Sequence, residues 1–386
     1  MSFARRVSQL KTEGAYAVLA RAQELEAQGR DIIHLEIGQP DFGTFPHISQ
    51  AGVEAIQAGY TRYNPPDGLP RLREGIAADA GVRRGISIRP GQVVVGPGAK
   101  PGLFFTTLAL IDPGDEVIYP DPGFPTYIDM IRVAGGVPIA VPLLEENNFS
   151  FDLKAFDDHL SEKTKLIVLN SPANPTGGVM PISDLEHIAT AAIGRDCWVL
   201  SDEIYARMTY DGFQAPSIAS LPGMMERTII VDGFSKTYAM TGWRLGYGIM
   251  PEALAERVTL LLTHSVGCTA TFTQMAGIEA LTSSQEMAEA VVLDYQHRRD
   301  RIVTGLNQIP GIRCQLPQGA FYAFPNITAL GISSDQLARR LLDEAGVAVL
   351  PGTDFGKHGE GYLRLCYATS PKNIDRALER ILKMIN

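Results

Sequence analysis

Apolar and polar positions along the chain follow two periods. Short, almost wholly apolar runs recur at Gln92–Val95, Glu116–Tyr119, Pro138–Val141, Leu166–Leu169, Cys197–Leu200, Thr228–Val231 and Leu245–Ile249. Runs this short read as strands buried on both faces. Helical patterns lie between them: one follows Gly98 through Ala109, and others cover Pro125–Ala134 and Ile182–Ala192. Asp112-Pro113-Gly114-Asp115 reads as a turn and Tyr60–Gly68 as a loop. This alternation predicts an α/β fold with a mainly parallel, seven-stranded central sheet in an α/β/α large domain.

The two ends of the chain read differently. Gly14–Gly29 and Ser49–Ala58 are helical, with a short strand at Ile32–Ile37 between them that Gly38-Gln39-Pro40-Asp41-Phe42 breaks. A helical region covers about Gln274–Glu279, and a long one covers Gln285–Gln308, with Ala288, Val291, Val292, Tyr295, Ile302 and Leu306 as its spaced apolar positions. Gly311–Leu316, Ala320–Ala323, Val347–Leu350 and Tyr362–Cys366 predict a second sheet, and Leu337–Glu344 and Ile374–Ile385 predict helices. The expected division is a large domain over 46–280 and a small α+β domain built from 1–45 and 281–386. The 386 residues accommodate two domains at about 150 residues each.

Charge narrows the function classes. Lys and Arg number 34 against 43 Asp and Glu, a net charge of −9. An acidic chain lacks the basic field that nucleic acids and anionic membranes require, so neither is an expected partner. No apolar stretch approaches the roughly 18 residues of a membrane span. The N-terminal stretch to Ala20 has two arginines but no continuous apolar core of a secretory signal. Cys197, Cys268, Cys314 and Cys366 are widely spaced among apolar neighbours, which predicts reduced thiols and a cytoplasmic setting. No histidine or cysteine spacing suggests a metal site.

In an open α/β sheet, ligands bind beyond the carboxyl ends of the strands. Polar segments follow several predicted strands: Gly98-Ala99-Lys100, Asn170 to Gly177, Asp202-Glu203-Ile204-Tyr205, and Ser235-Lys236. Gly96–Lys100 is either a plain turn or a set of backbone N–H groups at a helix start, a seat for phosphate. It is neither GxGxxG nor GxxxxGK[ST], which disfavours NAD and ATP. Lys236 is either a solvated charge or an amine whose lowered pKa suits a Schiff base. Asp202 either caps the following helix or pairs with a protonated ring nitrogen.

Together these segments resemble the class I/II aminotransferases, fold type I pyridoxal-phosphate (PLP) enzymes, nearest to the aspartate aminotransferase subgroup common in prokaryotes. The likeness rests on Gly38–Phe42, Tyr63-Asn64-Pro65, Gly98–Lys100, Pro120–Tyr127, Asn170–Gly177, Asp202–Tyr205, Ser235–Arg244, Gly319–Tyr322 and Arg364–Ala368. It implies pyridoxal 5′-phosphate as cofactor and small-molecule amino acids and 2-oxo acids as substrates. Lys236 resembles the Schiff-base lysine that then moves a proton between Cα and C4′. Asp202 resembles the partner of the pyridine nitrogen. Asn174 and Tyr205 resemble the groups that bond the ring O3′, and Phe124 resembles the aromatic that stacks on the ring. Gly98, Ala99, Lys100 (chiefly through its backbone), Ser235 and Arg244 resemble the phosphate cup. Tyr63 resembles the residue that reaches the phosphate of the other subunit, which implies a homodimer with shared sites. Arg364 resembles the arginine that grips the substrate α-carboxylate, beside Gly38 and Asn174.

The expected reaction is ping-pong amino transfer to 2-oxoglutarate, with aspartate the best guess for the donor. His264–Gln274 carries no arginine or lysine for a side-chain carboxylate. An aromatic or specialised biosynthetic donor therefore stays open, as do β-elimination and oxidation on the same cofactor. His264 precedes Ser265–Thr269, a segment expected to border the substrate pocket.

Overall fold

The computed structural model describes residues 3–8, 10 and 12–385, so positions 1, 2, 9, 11 and 386 of the expected small domain lie outside the described residues. The strands in chain order are β1 (Ile33–His34), β2 (Val93–Gly96), β3 (Glu116–Asp121), β4 (Val137–Leu144), β5 (Ser150–Phe151), β6 (Thr164–Asn170), β7 (Trp198–Asp202), β8 (Thr228–Gly233), β9 (Gly246–Ile249), β10 (Tyr322–Ala323), β11 (Val347–Ala348), β12 (Leu350–Pro351) and β13 (Leu363–Cys366).

The large domain is built on a mixed sheet in the order β2-β9-β8-β7-β6-β3-β4-β5. The seven expected strands are all present, and the two-residue β5 adds an eighth at the edge, antiparallel to β4. β4, β3, β6, β7 and β8 run parallel. β9 lies antiparallel between β8 and β2.

Both faces of the parallel strands are apolar. Val117, Leu166, Val168, Leu200, Ile229 and Val231 pack with Leu103, Tyr127 and Ile131 on one side. Ile118, Ile167, Leu169 and Val199 pack with Leu185, Ile188 and Ala192 on the other. Successive strand residues point to opposite faces, so an apolar run calls for a helical layer on each side. The polar chemistry is left to the strand ends.

The small β-rich domain contains the order β10-β13-β12, antiparallel throughout, with Tyr322 opposite Cys366 and Leu350 opposite Arg364. β1 pairs parallel with β11. Its core joins Tyr295, Ile302 and Leu306 of the helix Glu286–Leu306 to Phe321, Leu363 and Leu365, and also takes in Tyr205 and Met208.

Three features depart from the sequence reading. Val347–Leu350 is not one strand of the second sheet: β11 pairs with β1 in a sheet of its own, and β12 joins β13. Gly311–Leu316 is not a strand; it makes a single bridge, Arg313 to Asn326. The Asn307 side chain takes both the N–H and the C=O of Cys314, which occupies the groups a neighbouring strand would need. The helices Pro70–Arg84, Leu153–His159 and Glu252–Thr263 had no counterpart in the pattern.

Leu200 is fully buried in β7, two positions before Asp202. Leu200→Ala is expected to destabilise the protein by about 2–5 kcal/mol, read as a lower urea midpoint at unchanged slope.

Candidate active site

The carboxyl edge of the sheet collects the predicted segments. β2, β6, β7 and β8 end at Gly96, Asn170, Asp202 and Gly233. β9 starts at Gly246, opposite both Gly96 and Gly233, so Arg244 enters at the same edge.

Asp202 is buried and accepts from Tyr127 Oη at 2.7 Å and from the Ile204 N–H at 3.3 Å. Burial pushes its carboxyl up to about 6, and the Tyr127 donor opposes that rise. Lys236 donates from Nζ to the Gly38 carbonyl at 2.7 Å. Burial holds the amine down at about 8, with the Arg364 and Arg244 cations adding to the push and Cys366 and Asp202 opposing it. Its conjugate base is thus accessible near neutral pH, unlike that of an ordinary lysine.

Arg364, on β13, is buried. It donates to the Glu36 carbonyl and, at 3.4 Å, to Asn174 Oδ1. Its guanidinium carbon lies 4.8 Å from the Tyr322 ring centre and 5.2 Å from that of Phe355. Its Nε is buried without a partner among the described residues. Asn174 is fixed by its own N–H, which donates to Asn170 Oδ1 at 2.8 Å, while Asn170 Nδ2 donates to the Asp202 carbonyl at 2.9 Å. Tyr205 shares a 2.6 Å hydrogen bond with Tyr322.

Gly98 has φ +93°, and a Cβ there would lie 2.1 Å from Arg244 Nη2. The missing side chain makes room for the guanidinium beside Ala99 and the start of the helix Lys100–Leu110. Arg244 bonds only neutral carbonyls, Thr241 at 3.0 Å and Pro97 at 3.2 Å, and forms no ion pair among the described residues. A cation so placed, at a helix N-terminus, fits an anion such as phosphate. Ser235 is buried directly before Lys236. Phe124 is half-buried, edge-on to Tyr127 at 5.7 Å. The Lys100 side chain turns to Glu13, 5.2 Å above the Phe124 ring, consistent with a backbone contribution from Lys100 at most.

Tyr63 stands apart in character: it is 98% exposed. A cleft of about 900 Å³ runs from Pro97 and Arg244 past Trp243 and Phe42 to Thr269 and Phe272. It borders Arg244 but does not include Lys236 or Asp202 in its walls. Cys268 and Thr269 line it, whereas His264 is an exposed helix C-cap.

Tyr127, which donates to Asp202, had no assigned part, and neither had two further residues. Tyr322 touches Tyr205 and Arg364, and a Cβ on Gly38 would lie 2.1 Å from its hydroxyl. Asn170 links Asn174 to Asp202. Both sit in segments already singled out, but their sequence neighbours give no sign of these cross-chain contacts.

A buried carboxylate and a lysine of lowered pKa at the edge of the large sheet, with Arg244 beside them and Arg364 reaching in from the small sheet, make a site suited to anionic groups. Comparison with known proteins specifies it. Residues 30–381 match the family of aminotransferase class I and II. The chain is 41% identical to the aspartate aminotransferase of Pyrococcus abyssi, covering 94% of each. It is 39% identical to aromatic-amino-acid aminotransferase 2 of Thermococcus litoralis, covering 93% of each. The solved aspartate aminotransferase of Thermus thermophilus with maleate matches with a TM-score of 0.94 at 39% identity, covering 99% of each chain. The chain belongs to aminotransferase class I and II. It is a PLP-dependent aminotransferase of fold type I, and within that fold it lies near the aspartate aminotransferases. Among the described residues no helix is long and apolar enough to cross a membrane.

The Tyr127 donor lowers the proton affinity of Asp202. Tyr127→Phe is therefore expected to raise the Asp202 midpoint above its value of about 6. A ¹³C carboxyl titration of the full chain, with the signal assigned by Asp202→Asn, measures the shift.

Proposed function

We propose that the chain carries the amino group of an L-amino acid, aspartate first, to 2-oxoglutarate in two half-reactions at this sheet edge. The observation that carries the reading is Arg364. It is a buried guanidinium held by neutral oxygens and two aromatic rings, with one N–H unspent, close to Asn174. Such a planar fork is suited to one carboxylate in one orientation. Aspartate is supported by the relatives named aspartate aminotransferase, one of them solved with maleate, a dicarboxylate. An aromatic donor is the second reading, supported by Phe42 in the cleft wall and by the relative from Thermococcus litoralis.

In this reading PLP, when bound, supplies an electron sink for the pair left behind as Cα loses its proton. Lys236 carries the proton between Cα and C4′, and its lowered pKa provides the neutral amine that does so. Asp202 holds the proton on the ring nitrogen. Asn174 and Tyr205 donate to O3′, and Phe124 covers the ring face. Ala99 and Lys100 offer backbone N–H groups, and Ser235 and Arg244 side-chain donors, to the phosphate, while Gly98, whose N–H goes to the Gly96 carbonyl at 2.8 Å, leaves room for Arg244. Arg364, with Asn174 and the Gly38 backbone, orients the substrate α-carboxylate.

We also propose that 46–280 forms the cofactor domain, with 1–45 and 281–386 forming the small one. Two copies share their sites through Tyr63, whose near-complete exposure leaves it available to a second subunit. The described cysteines are unpaired, which suits a reducing compartment, the cytoplasm.

The test mixes the PLP-loaded protein with each amino acid in turn, without acceptor, and then with 2-oxoglutarate, following the cofactor's absorbance. The donor that changes it fastest, reversibly on adding acceptor, is expected to be aspartate. A spectrum unmoved by aspartate and moved by aromatic donors overturns the aspartate reading. Arg364→Met is expected to lower kcat/KM for that donor by roughly 30- to 5,000-fold, the loss of one buried charge partner.

For the shared site, Tyr63→Phe subunits are paired with Lys236→Ala subunits and PLP binding is measured. Against a hybrid of parent subunits with Lys236→Ala subunits, a further weakening of the phosphate hold is expected in the site of the subunit that keeps Tyr63, and weakening in the Tyr63→Phe subunit's own site refutes the sharing.

A further inference from the structure

Behind Asp202 lies a second, buried set of charges that the reaction as described does not use. Glu203, the next residue, is buried. Its Oε1 accepts from Ser201 Oγ at 2.9 Å and from Ser217 Oγ at 2.6 Å. Its Oε2 accepts from Arg84 Nε at 2.7 Å. Arg84 is also buried and reaches Asp232 on β8 at 3.0 Å. Asp232 further accepts from Arg83 at 3.2 Å, from Tyr247 Oη at 3.1 Å and from the Gly233 N–H at 2.7 Å. Arg83 and Arg207 share Asp79.

The position of this cluster is specific. The Glu203 N–H donates to the Val231 carbonyl at 2.8 Å, so Glu203 and Asp232 lie side by side where β7 and β8 end. One strand end carries Asp202, and the other leads to Lys236. A buried carboxylate is costly unless paired and hydrogen-bonded. Here two serines and an arginine meet that cost for Glu203, with Arg84 its ion-pair partner among the described residues. Tyr127 from the helix Thr126–Ala134, Tyr205 from the following turn and Lys236 beyond β8 surround Asp202, while the carboxylates Glu203, which bonds Ser201 on its own strand face, and Asp232 beside it lie on the opposite face of the sheet. Both carboxylates raise the proton affinity of Asp202, in addition to the larger effect of burial.

We propose that Glu203 is a positioning residue for amino-group transfer that acts through Asp202: pinned by Arg84, Ser201 and Ser217, it maintains a second negative charge behind Asp202 and so helps hold the proton on the cofactor's ring nitrogen. The inference rests on the reading that Asp202 faces that nitrogen. The sign follows from like-charge repulsion. A neighbouring carboxylate makes Asp202 a stronger proton acceptor, and a stronger acceptor holds the shared proton over a wider pH range. Arg84 has the opposing part: it makes the burial of Glu203 tolerable and moderates the field.

The test is Glu203→Gln, which keeps the acceptor for both serines and removes the charge. Two signals are read on the full chain. Without cofactor, the ¹³C carboxyl midpoint of Asp202 is expected to fall by about half a unit or more. This is opposite to the Tyr127→Phe shift. With ¹⁵N-labelled pyridoxal phosphate bound, the ring nitrogen is expected to lose its proton at lower pH than in the parent protein. A drop in thermal stability with both midpoints unchanged means a structural role only and overturns the proposal. Asp232→Asn repeats the ¹³C measurement should Glu203→Gln fail to fold. It too is expected to lower the Asp202 midpoint, and an unchanged midpoint overturns the proposal.

Asp202→Asn separates the two readings. If it leaves the ¹⁵N signal unmoved, the placement of the ring nitrogen fails. If it moves that signal while Glu203→Gln moves neither midpoint, the role of Glu203 fails alone.

Discussion

Burial on both faces of the parallel strands is the constraint from which the rest follows. Leu166 to Leu169 and Val199 to Leu200 fill the two helical layers alternately. A polar side chain there is costly without a partner. Polar groups collect where the strands stop, and parallel strands stop at the same edge. Asn170, Asp202 and the residues after Gly233 therefore meet although the chain separates them widely. The antiparallel β9 completes the arrangement by starting at that edge, which delivers Arg244 beside Gly98.

The charges at this edge are balanced by layer. Asp202 and Lys236 have lost solvent and drift toward neutrality, one upward and the other downward. Arg364 and Arg244 rest on carbonyl oxygens rather than on carboxylates, so their charge is not cancelled locally. Deeper in, the order reverses: carboxylates and arginines pair directly around Glu203, Asp232 and Asp79. The outer layer keeps its charge available to a ligand, and the inner layer pairs its charges within the protein, directly behind Asp202.

Much of this was legible in the sequence. The seven main strands announced themselves as apolar runs, and the polar residues directly after them marked the edge. The misses have separate physical causes. The helix Pro70–Arg84 packs through Leu72, Ile76 and small residues, Ala77, Ala80 and Gly81, so its buried stripe hardly registers as apolar. Yet it delivers Arg83 and Arg84 to the inner charge layer. At Cys314 a side-chain amide replaced the strand partner, which no local pattern encodes. Tyr322 and Asn170 were visible as parts of motifs, but their partners lie far along the chain. Spacing shows which residues end a strand; it does not show which distant hydroxyl or amide will face them.

Arg364 has one further consequence. It is rooted in the middle strand of the small sheet, backed by the core, while the cleft walls at Phe42 and Cys268–Thr273 come from loop residues and the first turn of the helix Thr271–Thr282. On the proposed roles, the feature every amino acid shares is read by the rigid frame, and the feature that distinguishes one from another is read by its margins. Such a division lets donor preference drift through substitutions in the cleft wall while the frame is inherited intact. Relatives named for aspartate and for aromatic amino acids can thus stand at nearly equal distance from one chain.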